Sequence, residues 1–521
     1  MAAGTGNKMK RSVFLLWLIA LLVSLPTANV WVRTSNGAVF TATELLGRPT
    51  DSSVVLNVLS EQTLETYFEF GTESGVYTNQ TSVMLNPGST PFETVIGGLK
   101  SDTRYYYRMV CREVGATDWT RRAEHYFQTQ RKPGGTFTFT VTSDSHLNFF
   151  IGNSDVYRRT LLNVLDDSPD FHIDLGDTFQ MYEVTDMAQA SQVYLAQREY
   201  LGIIGHSVPI FLALGNHEDE EGWNLDDTPS LPLLSVNTRK QFCPNPVPDG
   251  FYSGNTDASL TAISGDHLRE DYYSWSWGDA LFVVIDPFWY TLTKPYVAAI
   301  AGEKGDEAVI GDRWDWTLGE QQYRWFKQTL EDSNATFRFV FSHQVTGGTE
   351  PYGRCGAEAA PFFEWGGNNW NGSWGFDAER SGWVTPIHQL MVENGVTVFF
   401  HGHDHEFAME ERDGVVYQLC PMASDITYGY GFGLYHESDP YTKVVLPNSG
   451  HLRVTVSSSQ VKVDYVRAFL SGETNKAVAY SYTLPTPTIP EFPADLVLVL
   501  FLMETLTLMF VRTREERYLS C

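Results

Sequence analysis

Five short polar clusters hold the side chains with which this sequence could do chemistry. They are Ser143-Asp144-Ser145-His146, Gly176-Asp177-Thr178, Gly215-Asn216-His217-Glu218, Ser342-His343 and His401-Gly402-His403-Asp404-His405. Together they offer carboxylates, imidazoles and an amide oxygen. That donor mixture suits divalent or trivalent metals of intermediate hardness, such as Zn, Fe or Mn. Two such ions about 3.5–4 Å apart can clamp the attacking and leaving oxygens of a phosphoryl transfer. One carboxylate must then bridge them to offset their repulsion. Glycines beside Asp177, Asn216 and His403 allow tight turns and close backbone approach.

Each cluster follows an apolar run that reads as a strand. Thr136 to Thr142 leads into the first, Phe171 to Leu175 into the second and Ile210 to Leu214 into the third. Phe337 to Phe341 leads into the fourth and Val396 to Phe400 into the fifth. Ligands of open α/β sheets bind beyond the C-terminal ends of the strands, so five clusters placed this way can converge on one point. Helical patterns at 154–165, 187–201, 316–330 and 383–392 alternate with these strands. Residues 451–484 return to β alternation. The stretches 218–315 and 344–382 are rich in Gly, Pro and aromatics and read as long ordered loops and small hairpins, the walls of a site.

Upstream, residues 29–132 show short alternating runs separated by turns, at 53–59, 66–70, 92–96 and 103–114. In the last run Tyr105, Tyr107, Met109 and Cys111 share one face. This pattern predicts a β-sandwich, and Arg131-Lys-Pro-Gly-Gly135 marks its end. The segment Leu99 to Tyr107 resembles the tyrosine-bearing corner of fibronectin type III domains.

The chain has 521 residues, 43% of them hydrophobic, with a net charge of -27. It is long enough for more than one domain and for a large core. The acidic balance excludes general nucleic-acid binding, which needs a basic stripe. A small phosphate ester remains allowed, because a local metal charge overrides the global field. The five cysteines form no Cys-x-x-Cys pair, which argues against a zinc ribbon or a thioredoxin-type site. Their odd number leaves at least one unpaired, and most read as buried thiols. If any two pair in an oxidising compartment, Cys243 and Cys355, both in long loops, are the best placed. Lys8, Lys10 and Arg11 before the apolar run 13–25 describe a signal peptide over 1–28. A Pro-rich linker at 485–493 precedes an apolar stretch, 494–511, and a basic tail, 512–521. These read as a C-terminal membrane anchor with its basic end inside, despite Glu504. The protein is therefore expected to be exported, extracellular or held at the cell surface.

Asp144-x-His146, Gly176-Asp177, Gly215-Asn216-His217-Glu218, His343 and Gly402-His403-x-His405 resemble the motif series of the calcineurin-like metallophosphoesterases. The likeness spans about residues 136–425. It implies an α/β metallophosphatase fold over 133–484, with packed β-sheets flanked by helices, preceded by the all-β sandwich. It also implies two metal ions. Asp144, His146, Asp177 and His405 would hold the first; Asp177, Asn216, His343 and His403 would hold the second. Asp177 would be the bridge and a hydroxide between the metals the nucleophile. His217 would face the phosphate as proton donor or charge stabiliser, with Glu218 orienting it. The pairing with a fibronectin-like domain also resembles purple acid phosphatases. Those proteins carry Gly where His146 stands and a ligand Tyr where this chain has Gln180, so an iron–tyrosinate bond is not expected.

Other residues are open to two readings. His401 either supports the neighbouring ligands or is structural. Arg354 either binds substrate phosphate bidentately or joins a loop ion pair near Glu364 and Trp365. Trp370, Trp374 and Trp383 either stack a base or sugar or simply pack. His172 and His388 read as structural. Asn79, Asn334 and Asn371 head N-x-S/T sequons, meaningful only on export. The expected activity is metal-assisted hydrolysis of a phosphate ester by a phosphatase. The alternatives are a nucleotidase or phosphodiesterase of the same fold, or a surface adhesion or scaffold protein whose catalytic domain is degenerate. Oligomeric state is left open.

Overall fold

The computed structural model describes residues 42–147, 151–297, 309–349, 353–431 and 440–486. The signal-peptide, anchor and basic-tail segments, nearly all of the Pro-rich linker and Cys521 lie outside the described residues. Among the described residues no helix is long and apolar enough to cross a membrane.

The N-terminal region is all β. Ser53–Ser60 pairs antiparallel with Ala42–Gly47 on one side and Phe92–Gly97 on the other. A second sheet is built on the antiparallel pair Leu64–Gly71 and Arg104–Glu113. Tyr105, Tyr107, Met109 and Cys111 all point inward and are buried, as the period-2 pattern requires. The hydroxyl of Tyr105 accepts the Lys100 N–H at 2.9 Å, tying the turn to the strand that follows it. This region is fastened to the rest by Arg198 of the Met187–Gly205 helix. Its buried guanidinium donates to Asn57 Oδ1, Asn57 O and Phe242 O, each at 2.8 Å.

Downstream, two mixed sheets of six and eight strands carry the site. In the first, Phe137–Thr142, Phe171–Asp174 and Ile210–Leu212 run parallel, and Gly450–Val456 joins antiparallel beside Phe137–Thr142. In the second, Ala280–Val284, Phe337–Phe341, Val398–His401 and Val415–Leu419 run parallel. The shared core is aromatic. Phe139 stacks on Phe171 at 5.6 Å, Phe171 meets Phe282 edge-on at 5.1 Å, and Phe341 stacks on Phe400 at 5.0 Å. Burial of each such ring contributes about 1.5–3 kcal/mol, which makes the layer between the sheets stiff.

Helices cover the outer faces. Ser154–Asp167 and Met187–Gly205 bury Tyr157, Leu161, Tyr194 and Leu201 with Ile210 and Leu212 of the six-stranded sheet. Gly319–Glu331 and Ile387–Glu393 bury Tyr323, Phe326 and Leu390 with Val340 and Phe399 of the eight-stranded one.

Two expectations fail here. The stretch 218–315 is not only loops and hairpins: it holds the helix Leu231–Phe242 and the strand Ala280–Val284, which runs beside Phe337–Phe341 in the large sheet. Cys243 and Cys355 form no disulfide; both are buried free thiols, as are Cys111 and Cys420. Cys243 packs among the helices outside the six-stranded sheet and Cys355 among those outside the eight-stranded sheet. The core between the sheets separates them.

Candidate active site

The parallel strands end on one side of the molecule, and the residues just past their ends turn sharply. Asp144, His146, Asp177, His403 and His405 all adopt left-handed backbone, at φ 56°, 36°, 55°, 75° and 58°. Such turns reverse the chain immediately after each strand and point successive side chains at one spot. The turns also brace one another. Asp144 N–H donates to Gly176 O at 3.0 Å, Gly402 N–H to His343 O at 2.9 Å, and His403 N–H to Asp144 Oδ2 at 3.0 Å. Gly176, at φ 98°, must be glycine: a Cβ there would strike the backbone of Gly215. A Cβ on Gly402 would strike Ser143 Oγ and lie 2.7 Å from Asp144 Oδ2.

Two buried donor sets result. Asp144, His146, Asp177 and His405 present ligand atoms within 4.8 Å of one another, and so do Asp177, His343 and His403. Asp177 belongs to both. Nε2 of His146 lies 3.5 Å from Asp144 Oδ1 and 3.3 Å from Asp177 Oδ2. Nε2 of His405 lies 3.2 Å from Asp144 Oδ1, and Nε2 of His343 3.3 Å from Asp177 Oδ2. Nδ1–H of His343 donates to Leu175 O at 2.9 Å, which leaves Nε2 as its lone pair.

This neighbourhood fits a metal pair. Asp144 Oδ1, Asn216 Oδ1 and His343 Nε2 are buried without a hydrogen-bond partner, at a typical cost of about 1–3 kcal/mol each. The electrostatics point the same way. Burial works to raise the carboxyls of Asp144 and Asp177, yet the surrounding imidazoles hold both well below the usual range. Burial works to lower His146 and His343, yet the two carboxylates push them up to about 9 and about 10. A cluster that draws positive charge this strongly, with carboxylate, amide and imidazole donor atoms converging inside it, is built for cations.

Glu218 brackets the second and third turns. Its carboxylate accepts N–H groups from Asp177 at 2.9 Å, Thr178 at 2.8 Å, Phe179 at 2.9 Å and Gly215 at 2.6 Å. Burial and the Asp177 charge push its carboxyl up to about 7; the four donors oppose that. His217 follows Asn216 in the short helix Asn216–Glu218. Its N–H donates to Asp177 Oδ1 at 2.9 Å, and its Nε2 is 3.9 Å from Asp177 Oδ2. Its side chain is 21% exposed, against 0–4% for His146, His343 and His405. It is thus open to an arriving ligand. Burial, with the neighbouring imidazoles, lowers it to about 4 against the pull of Asp177.

The remaining candidates are placed as follows. Arg354 Nη1 donates to His403 O at 2.7 Å and lies 3.8 Å from Asp404 Oδ1, so it steadies the fifth cluster. His401 stacks on Phe399 at 5.6 Å and, with Glu410, packs over Gly356. Glu364 receives Arg380 Nε and the Leu318 N–H, a structural ion pair beneath the aromatic loop. Trp383 stacks on Tyr323 at 3.8 Å, whereas Trp370 and Trp374 are 59% and 53% exposed. His172 is a core residue between Thr140 Oγ1 and Thr142 Oγ1, and His388 bridges Tyr417 and Asp413. The structure adds two supports not identified from sequence. Asp174 Oδ1 accepts Gly176 N–H and Thr178 Oγ1–H, and Asn448 Nδ2 donates to His405 O. Asp174 carried a signal, an acid ending a strand three residues before Asp177. Asn448 carried none.

Comparison with known proteins bears on the family and the fold. No curated protein matches the chain in sequence. Among solved structures, that of PhoD superposes with a TM-score of 0.61 at 15% identity, over 85% of this chain and 90% of that one. The purple acid phosphatase PPD1 from yellow lupin (Lupinus luteus) seeds gives 0.54 at 14% identity, over 86% and 74%. Both likenesses concern the fold. The family model for calcineurin-like phosphoesterase matches residues 137–407, the span that contains all seven ligand candidates and His217. The chain belongs to the calcineurin-like phosphoesterase family and is a metal-dependent phosphoester hydrolase.

Proposed function

We propose that the protein is an exported phosphatase that works with two metal ions. Asp144, His146, Asp177 and His405 hold one ion; Asp177, Asn216, His343 and His403 hold the other. The observation that carries this reading is the pair of buried donor sets sharing Asp177. Their mixed N and O donors suit Zn, Fe or Mn. When bound, such a pair lowers the pKa of a water to about 7 and offsets charge on the phosphoryl oxygens.

The chain's own residues do the rest. His217, the imidazole open to solvent, meets the phosphate and moves the proton of the leaving oxygen. Burial and the neighbouring imidazoles lower its proton affinity, and an arriving phosphate dianion is the counter-charge that raises it. Glu218 and Asp174 hold the Asp177 turn, while Arg354 and Asn448 hold the turn from His403 to His405.

One observation favours a second reading, a nucleotidase or phosphodiesterase. Tyr182 is 47% exposed and its ring centre lies 6.3 Å from that of His217. A planar group on the ester would find a stacking face there. Metal analysis of reconstituted protein, with turnover of mono- and bis-aryl phosphates, tests both. The expected outcome is two ions per chain and hydrolysis that chelation abolishes. Two ions with no turnover of any ester would favour the degenerate scaffold instead.

A further inference from the structure

Three residues past Asp177, the side chain of Gln180 reaches back to His146. Its amide nitrogen lies 3.2 Å from His146 Nδ1, and its oxygen Oε1 is buried with no hydrogen-bond partner. The other nitrogen of the same ring, Nε2, faces Asp144 and Asp177. An imidazole that turns the Nε2 lone pair toward a cation carries its proton on Nδ1. An amide N–H would then oppose a ring N–H while the amide's one acceptor stood idle in a buried place. Turning the amide over resolves both faults at once, because its O and NH2 ends are nearly the same size. Oε1 then accepts Nδ1–H, the acceptor is used, and the NH2 takes the place Oε1 held.

The local backbone holds the amide in place for this. The N–H groups of Asp177, Thr178 and Phe179 are bracketed by Glu218. The Phe179 ring stacks on Tyr194 at 4.0 Å, and Met181 N–H donates to His217 O at 3.0 Å. Both neighbours of Gln180 are therefore fixed, and its side chain is aimed without a large loss of entropy.

We propose that Gln180 is a positioning residue for His146: it accepts the Nδ1 proton, sets the tautomer and ring angle, and keeps Nε2 available to one metal ion. The inference rests on the ligand assignment under Proposed function. A hydrogen-bond acceptor behind a ligating imidazole is typically worth 10–100-fold in metal affinity.

The test uses metal-free full-length protein titrated with Zn2+ or Mn2+ against a chromophoric chelator, comparing wild type with Gln180→Leu, Gln180→Glu and His146→Ala. Gln180→Leu should weaken one of the two ions by about 10–100-fold and leave the other within about threefold. Gln180→Glu, which keeps an acceptor, should restore that affinity. Metal-free melting temperatures identify any variant that fails to fold, and the Glu variant then decides. Equal affinities in Gln180→Leu and wild type would overturn the proposal, as would equal weakening in the Leu and Glu variants. His146→Ala separates the two levels of argument. If it loses an ion while Gln180→Leu loses nothing, only the role of Gln180 fails. If it keeps both ions at wild-type affinity, the ligand assignment fails with it.

Discussion

Replacing Glu218 with Gln sets geometry against charge at one atom. The carboxylate accepts four backbone N–H groups, two on each oxygen: Thr178 and Phe179 on Oε1, Asp177 and Gly215 on Oε2. Glutamine keeps one oxygen and turns an NH2 toward the other two donors. Two charge-assisted hydrogen bonds, worth about 1.5–3 kcal/mol each, are lost, for a gross cost of about 3–6 kcal/mol. Against this, the variant no longer buries a charge that the site resists. Burial and the Asp177 charge push the carboxyl up to about 7 even with the backbone donors pulling it down, so a neutral glutamine removes a buried charge that resists ionisation, an offset of the same order. The net loss of stability is therefore small. Metal affinity has no such offset, because the two orphaned N–H groups belong to the turns that place Asp177 and Asn216. Both ions should weaken by about 10–100-fold, with activity falling in step, while the melting temperature of the metal-free protein shifts by only a few degrees. Metal titration beside calorimetry measures the two separately. Wild-type affinity for both ions in Glu218→Gln would refute the bracket argument; a large loss of metal-free stability would show that the charge relief is overstated.

Other outcomes are expected. His217→Gln should keep both ions but lose about 10²–10⁴ in rate, most for alkyl phosphates whose leaving oxygen needs a proton; Asp177→Asn should weaken both ions together. If His217→Gln strips metal as Asp177→Asn does, His217 is a ligand. Iron-loaded protein should show no visible tyrosinate band, since Gln180 occupies the position of the ligand tyrosine; a band lost on Tyr182→Phe would reverse the assignment. The ring pair His125 and His206, centres 4.2 Å apart and tilted by 31°, joins the N-terminal β region to the end of the Met187–Gly205 helix. Burial lowers both to about 4, with Arg122 adding to it at His125 and His125 at His206. Folded pKa values below the unfolded value of about 6.5 mean that the unfolded chain binds more protons in between. Stability is fully present above about pH 6.5 and declines as pH falls toward 4; a His125→Gln/His206→Gln double variant should flatten that decline in calorimetry.

Much of this molecule was readable because its chemistry sits directly after its most regular pattern. Phe137–Thr142, Phe171–Asp174 and Phe337–Phe341 are buried, β-branched or aromatic runs, and each delivers a ligand within a few residues of its end. The helix Leu231–Phe242 escaped because half of its buried face is polar: Ser235, Thr238 and Arg239 lie inside with Pro232, Val236 and Phe242, and Arg239 pairs with Glu220. No apolar period marks such a helix. Ala280–Val284 escaped for the opposite reason, being buried throughout and so without alternation. The disulfide expectation failed because loop membership says nothing about which side of a sheet a cysteine faces. Contacts such as Asn448 with His405 join residues that only the completed sheet order brings together.

The left-handed backbone at the ligands explains why so many residues that touch no substrate are needed. Five non-glycine residues in that region cost of order 1–2 kcal/mol apiece, somewhat less for Asp and His, which tolerate it best. The sum approaches the whole stability of an ordinary domain, about 5–15 kcal/mol. Glycine would relieve it but supplies no ligand, so Asp144, His146, Asp177, His403 and His405 must be strained or absent. The turns therefore persist only because other groups over-determine them: Glu218 and Asp174 on one side, Asn448 and Arg354 on the other. Bound cations add to this, since they favour the conformations in which the donors converge. The strain, the brackets and the paired donor sets are one arrangement, and a change in any bracket should be read first in metal affinity and only then in rate.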